Sequence, residues 1–226
     1  RIGLVTNPSG VNSNLVSTVD ILANAPGVEL VALYGPEHGV RGDIHAGDKV
    51  GDDVDPKTGI PVYSLYGKTR KPSAEMLKDI DAIVYDIQDN GCRSFTFIST
   101  LGLLMEAAAE NGKEVIVLDR PNPLGGNKVE GNIVEPGNFS FVSQFEIPYL
   151  YGLTVGELAN MLNEEGMLKG EKGTNDTILK CNLTVVPMEG WSRDMVYTDT
   201  KLPWVLPSPH MPQAETSYYY PATGIL

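Results

Sequence analysis

Residues 28–43 read VELVALYGPEHGVRGD. The first eight form an apolar run without polar alternation, the pattern of a strand buried on both faces of a parallel sheet. Gly35 and Gly39 then permit a tight turn, and between Glu37 and Arg41 stand three ionisable side chains, Glu37, His38 and Arg41. The same grammar recurs along the chain. IGLVTN (2–7), DAIVYDIQD (81–89) and EVIVLDRPNP (114–123) are each an apolar run that ends in polar residues. Helical periodicity fills the gaps: NSNLVSTVDILANA (12–25) with Asn12 or Ser13 as cap, SAEMLKDI (73–80) capped by Ser73, and SFTFISTLGLLMEAAAENG (94–112) closed by Gly112. Strands that alternate with helices predict an α/β fold: a Rossmann-like, doubly wound, mostly parallel sheet with helices on both faces.

Further along, TVGELANMLNEEG (154–166) carries a capping box, Thr154 with Glu157 three residues on. IPVYSLYG (60–67) reads as a short strand and TILKCNLTVVPME (177–189) as an edge strand. Residues 35–59 are Gly- and Asp-rich without periodicity, and residues 202–226 are Pro-rich and aromatic. No repeat and no clean linker divides the chain, so one domain over 1–226 is expected.

Composition narrows the function. Hydrophobic residues make up 42% of 226, enough for a packed core. A net charge of −12 disfavours nucleic acid and anionic membranes as partners. No apolar run approaches the length of a membrane span. Cys92 and Cys181 form no C-x-x-C pair and read as small buried hydrophobes. The chain begins on Arg1, directly before a strand, so the lack of a visible leader says nothing about export.

In an open α/β sheet, ligands bind beyond the carboxyl ends of the strands. Those ends carry Thr6 and Asn7; Glu37, His38 and Arg41; Asp86, Gln88 and Asp89 with Arg93 beyond; and Asp119, Arg120 and Asn122. One shared pocket is therefore expected. Neither G-x-G-x-x-G nor G-x-x-x-x-G-K-[ST] follows the first strand, and G-x-S-x-G and H-E-x-x-H are absent. No cofactor is expected. With three histidines in the chain, a metal site built on His38, Asp43 and His45 is the weaker option. What remains is carboxylate acid–base chemistry, as in glycoside hydrolysis. The group that protonates a leaving oxygen must keep its proton near neutrality, which a partly apolar pocket favours. Glu37 is the leading acid, with Asp86 and Asp89 as partners. Structural readings compete at each position: Glu37 with Arg41, Asp119 with Arg120, and Arg93 with Asp89 would all serve as ion pairs, and Tyr218 to Tyr220 as core or interface, with sugar stacking their lesser reading.

PEHGVRG, taken with TNPSG, DIQDNGCRSFTF, DRPNPLGG, GLTVGELANMLN and LPWVLPSPHMP, resembles a bacterial family once known only as a domain of unknown function and now associated with NamZ-type exo-β-N-acetylmuramidases. The motifs keep their order from Thr6 to about Pro221. The resemblance implies a Rossmann-like N-terminal domain here, with a smaller C-terminal domain beyond residue 226. It implies release of terminal N-acetylmuramic acid from peptidoglycan fragments, in the periplasm or outside the cell. It places the catalytic acid on Glu37, keeps Asp86 and Asp89 as catalytic candidates, and points to Asn7, His38, Arg41, Gln88, Arg93, Arg120, Asn122 and His210 as substrate-binding. Two positions depart from the family pattern: Tyr151 where histidine is frequent, and His210 where asparagine is common. The muramic lactyl carboxylate would need arginines, for which Arg41, Arg93 and Arg120 are placed. A cell-wall sugar- or peptide-binding protein without turnover, and a metal-dependent hydrolase, remain as alternatives; oligomeric state is unknown.

Overall fold

A computed structural model describes residues 1–42, 53–170 and 177–224. The apolar runs become β1 (Ile2–Thr6), β2 (Leu30–Gly35), β5 (Ala82–Asp86) and β6 (Glu114–Leu118); β3 (Asp53–Val54), β4 (Pro61–Ser64) and β7 (Asn182–Val186) complete one sheet. Its order is β3-β4-β2-β1-β5-β6-β7, and every neighbouring pair is parallel except β3 with β4. With the two-residue β3 set aside, this is the doubly wound order whose switch point lies between β1 and β5. The Rossmann-like α/β expectation therefore holds, and β7 is the edge strand it was read to be, with alternate residues exposed.

Successive strand residues face opposite layers. Val5, Tyr34, Ile83, Tyr85, Val115 and Val117 point to one side, where α3 (Phe97–Glu110) and α4 (Val155–Glu164) contribute Ile98, Leu101, Leu104, Leu158 and Leu162. Leu4, Leu33 and Val84 point to the other and meet Val19 of α1 (Thr18–Ala23) and Val40. This is why the strands lack polar alternation: both faces are dry. Thr154 caps α4 through its side chain and Glu157 returns the bond, as the capping box requires. Ser73 caps the short α2 (Ala74–Leu77). Asn111 ends α3, and Gly112 follows in the left-handed region (φ 63°). Cys92 and Cys181 are buried free thiols. No helix among the described residues is long and apolar enough to cross a membrane.

Two local expectations need correction. The first helix begins at Thr18, capped by Ser17, rather than after Asn12 or Ser13. Asn12 Oδ1 instead accepts from the backbone of Asn14 and Val16, and Leu15 is left-handed (φ 61°), so residues 12–16 close a side-chain-stabilised loop. The aromatic end contains a helix, α5 (Thr216–Thr223), which the sequence conceals because Pro221 lies inside it and no side chain caps its start.

Candidate active site

The turn after β2 is the centre of the site. Gly39 N–H donates to Pro36 O at 3.0 Å, and His38, third of the four turn residues, has φ 74°. That is the left-handed position glycine normally takes in such a turn. Gly35 lies beneath: a Cβ there would stand 3.2 Å from Gly39 Cα, so a larger residue would press on the backbone of the turn. The geometry buries the His38 ring, whose Nε2 lies 3.3 Å from Ser208 Oγ, and leaves Glu37 half-buried beside it.

Glu37 and His38 line a cleft of about 350 Å³ with Ser94, Phe95 and Thr96 from the β5–α3 connection, Phe97 at the start of α3, and His210, Met211 and Tyr220 from the end of the chain. Thr96 Oγ1 donates to Glu37 Oε2 at 3.2 Å, and the Glu37 carboxylate pushes the phenol of Tyr66 up. Among the described residues no cation is paired with Glu37; Arg41 turns away to Asp55 (2.9 Å) and Asp20 (3.4 Å). Asp55 is held down at about 2 by the Arg41 guanidinium. The acid thus faces the Thr96 hydroxyl and an apolar wall: Phe95 packs edge-on against Phe97 and Tyr220, with centroids 4.9 and 5.4 Å away.

The remaining strand tips do not join that cleft wall. At the switch point Thr6 Oγ1 donates to Asp86 O (2.8 Å), and the Asp86 carboxylate takes a two-pronged bond from Arg120 (2.5 and 3.0 Å) and another from Thr18 Oγ1 (2.5 Å). Arg120 therefore pairs with Asp86 rather than with Asp119. Asp119 instead accepts from Thr154 Oγ1 and Gly156 N–H at the start of α4 (both 2.8 Å), and burial pushes its carboxyl up. Asn7 Nδ2 donates to Pro207 O (3.0 Å) and so ties the β1 tip to the Ser208–His210 loop. Gln88 Nε2 donates to Asp89 O and Pro121 O, and Asn122 Nδ2 to Leu153 O. Arg93 donates to the carbonyls of Asn132 and Ile147 rather than to Asp89.

Asp89 is buried and accepts from the Tyr151 hydroxyl and from Gly91 N–H; its Oδ1 has no donor among the described residues. Desolvation pushes its carboxyl up to about 6, with those two bonds opposing. Of the residues singled out by sequence, then, Glu37, His38 and His210 meet at the cleft. Asp86, Asp89, Asn7, Gln88, Arg93, Arg120 and Asn122 form the hydrogen-bonded scaffold beside and beneath it, and Arg41 braces the turn. Thr96, Tyr66, Ser94 and Ser208 were not foreseen as site residues, and Tyr220 only through the lesser, sugar-stacking reading. Thr96 carried one signal, its place in the loop that leaves β5 at the carboxyl edge; Tyr66 carried none. No group of three metal-ligating side chains exists among the described residues, while Asp43 and His45 lie outside them.

Comparisons with known proteins agree with one another. Residues 2–215 match the family model described as exo-beta-N-acetylmuramidase NamZ, N-terminal. A curated protein of Bacillus subtilis (strain 168), peptidoglycan beta-N-acetylmuramidase NamZ, is 54% identical over the whole chain, which spans 52% of that relative. Two crystal structures of DUF1343 family proteins from Bacteroides fragilis NCTC 9343 superpose with TM-scores of 0.91 and 0.82, at 64% and 35% identity. The chain covers 54% and 55% of them, and they cover 100% and 98% of it. It therefore spans about half the length of the proteins it matches. With its ordered motifs, its doubly wound sheet and a family match over nearly every residue, the chain belongs to the exo-β-N-acetylmuramidase NamZ family, as a representative of its N-terminal region.

Proposed function

We propose that this chain carries the catalytic centre of an exo-acting glycoside hydrolase that releases terminal N-acetylmuramic acid from peptidoglycan fragments, with Glu37 as the group that protonates the departing oxygen. The observation that carries the reading is the setting of Glu37. It is a half-buried carboxylate at a strand end, on a cleft wall, accepting from the Thr96 hydroxyl and not paired to a cation among the described residues. A carboxylate fixed by a salt bridge would be a poor proton donor, whereas one held by a single neutral hydroxyl can pass its proton to a leaving group. Cleft size supports a single sugar ring with its substituents, and the Phe95, Phe97 and Tyr220 rings offer the apolar surface on which sugar faces pack. His38 and His210 supply polar contacts to ring hydroxyls and the acetamido group.

Asp86 takes a structural part in this reading. Its carboxylate is occupied by Arg120 and Thr18, so it fixes the tips of β5 and β6 instead of meeting substrate. Asp89 shapes the loop that delivers Ser94 and Thr96 to the cleft. The relative from Bacillus subtilis bears the corresponding activity in its name, and the proposal extends it to this chain. Such a reaction would take place where cell-wall fragments occur, in the periplasm or outside the cell. The test is Glu37→Gln in the full-length protein: unchanged circular dichroism and Tm, with kcat on a disaccharide bearing terminal N-acetylmuramic acid lowered about 10²–10⁴-fold. A variant with wild-type kcat would remove Glu37 from the chemistry.

A further inference from the structure

We infer that Thr96 is a positioning residue for Glu37: its hydroxyl holds the carboxylate by one oxygen, Oε2, and so assigns the other, Oε1, to carry the proton to the departing oxygen. This rests on the glycosidase reading above. A glutamate side chain turns about three bonds, the last with only a broad preference. On a cleft wall it delivers a proton in one direction only if a neighbour fixes it. Among the described residues no cation does so, since Arg41 is engaged by Asp55 and Asp20. The fixing contact is the 3.2 Å bond from Thr96 Oγ1, which joins the turn after β2 to the start of α3 across 59 residues of sequence.

The start of α3 shows what this hydroxyl gives up. A threonine at a helix start ordinarily has an extended backbone and accepts from an N–H of the first turn. Ser17, Ser73 and Thr154 do this for α1, α2 and α4. Thr96 does neither: its backbone is already helical (φ −68°, ψ −10°), and its side chain caps nothing. Its carbonyl accepts from the N–H groups of Ser99 (3.1 Å) and Thr100 (3.0 Å), so the residue is rooted in a helix that is buried along most of its length. The hydroxyl goes to Glu37 instead, and both residues line the same cleft. A neutral donor suits the chemistry. Once the acid is protonated, the oxygen that continues to accept from Thr96 is the carbonyl oxygen, which leaves the acidic hydrogen on Oε1.

The experiment is a double-mutant cycle in the full-length protein, with a disaccharide bearing terminal N-acetylmuramic acid as substrate. It compares wild type, Thr96→Val, Thr96→Ala, Thr96→Ser, Glu37→Gln and the Thr96→Val, Glu37→Gln double variant. Valine keeps the shape of threonine without the hydroxyl, and alanine repeats the test without the branched side chain. Either one lowers kcat about 10–100-fold, the worth of a hydrogen bond to a charged group, with KM nearly unchanged and the circular dichroism of wild type. Thr96→Ser, which keeps the hydroxyl, stays close to wild type. In the double variant the valine adds no loss to that of Glu37→Gln, because a residue that acts through Glu37 has nothing left to position. Wild-type kcat without the hydroxyl, a loss that Thr96→Ser shares in full, a loss confined to KM, or losses that multiply in the double variant would each overturn the inference. A wild type that does not cleave the disaccharide would refute the glycosidase reading and this inference with it. An active wild type and a crippled Glu37→Gln, with Thr96→Val and Thr96→Ala indifferent, would leave that reading intact and refute Thr96 alone.

Discussion

At the scale of the residue, the site depends on a histidine in a conformation that L-residues avoid. A non-glycine side chain in the left-handed region costs about 1–2 kcal/mol, and such strain persists only where the surroundings enforce it. Here Gly35 leaves room for the turn and Ser208 meets the buried ring, and Glu37 stands on the cleft wall beside it. Asp89 offers a second residue-level test, through pH. Its carboxyl titrates near 6 in the folded protein against an ordinary 3.8, so the folded state holds the proton more tightly than the unfolded one. A raised pKa of this kind adds stability that is complete below about pH 4 and lost as the pH climbs through 6; two units amount to about 3 kcal/mol. Urea titrations of wild type and Asp89→Asn should thus diverge between pH 4 and 7, with the wild type losing that amount relative to the variant. Parallel curves would mean that Asp89 is ionised in the folded state across the whole range.

At the scale of the element, helix α3 shows how packing reverses a propensity rule. Gly102 lies mid-helix, where alanine would ordinarily gain about 1 kcal/mol. A Cβ there would collide with the buried ring of Phe145, so Gly102→Ala should instead destabilise by about 1–3 kcal/mol in chemical unfolding. A stabilised variant would show that the ring can move aside. Elements also mark what could be read in advance. The buried strands were legible because dry faces on both sides leave continuous apolar runs, and α4 because Thr154 and Glu157 spell out its cap. The start of α1 was not, since Asn12 satisfies backbone groups in a loop as readily as at a helix start. Nor was α5, whose internal proline argues against a helix from sequence.

At the scale of the whole molecule, the sequence revealed which edge of the sheet is chemical but not which side chains meet there. All four polar tips do lie at the carboxyl edge, yet the partner of Arg120 depends on the lateral order of β1, β5 and β6, and no residue pattern encodes that order. The Asp86–Arg120 pair, with Thr18 and the Val11 carbonyl, ties three successive segments at the switch point. Arg120→Met leaves a buried carboxylate without its cation and should cost about 3–5 kcal/mol, most of it recovered when Asp86→Leu is added. If the single variant unfolds at the wild-type denaturant concentration, the pair does not hold the edge together.

The role of Glu37 can be isolated by varying the leaving group. A general acid matters greatly when the departing oxygen belongs to another sugar and little when it belongs to 4-nitrophenolate, which leaves without a proton. The decisive measurement is the wild-type to Glu37→Gln ratio of kcat/KM on a disaccharide with terminal N-acetylmuramic acid and on the 4-nitrophenyl glycoside. The assignment predicts a loss about 100-fold larger on the disaccharide; losses of equal size on the two substrates would contradict it.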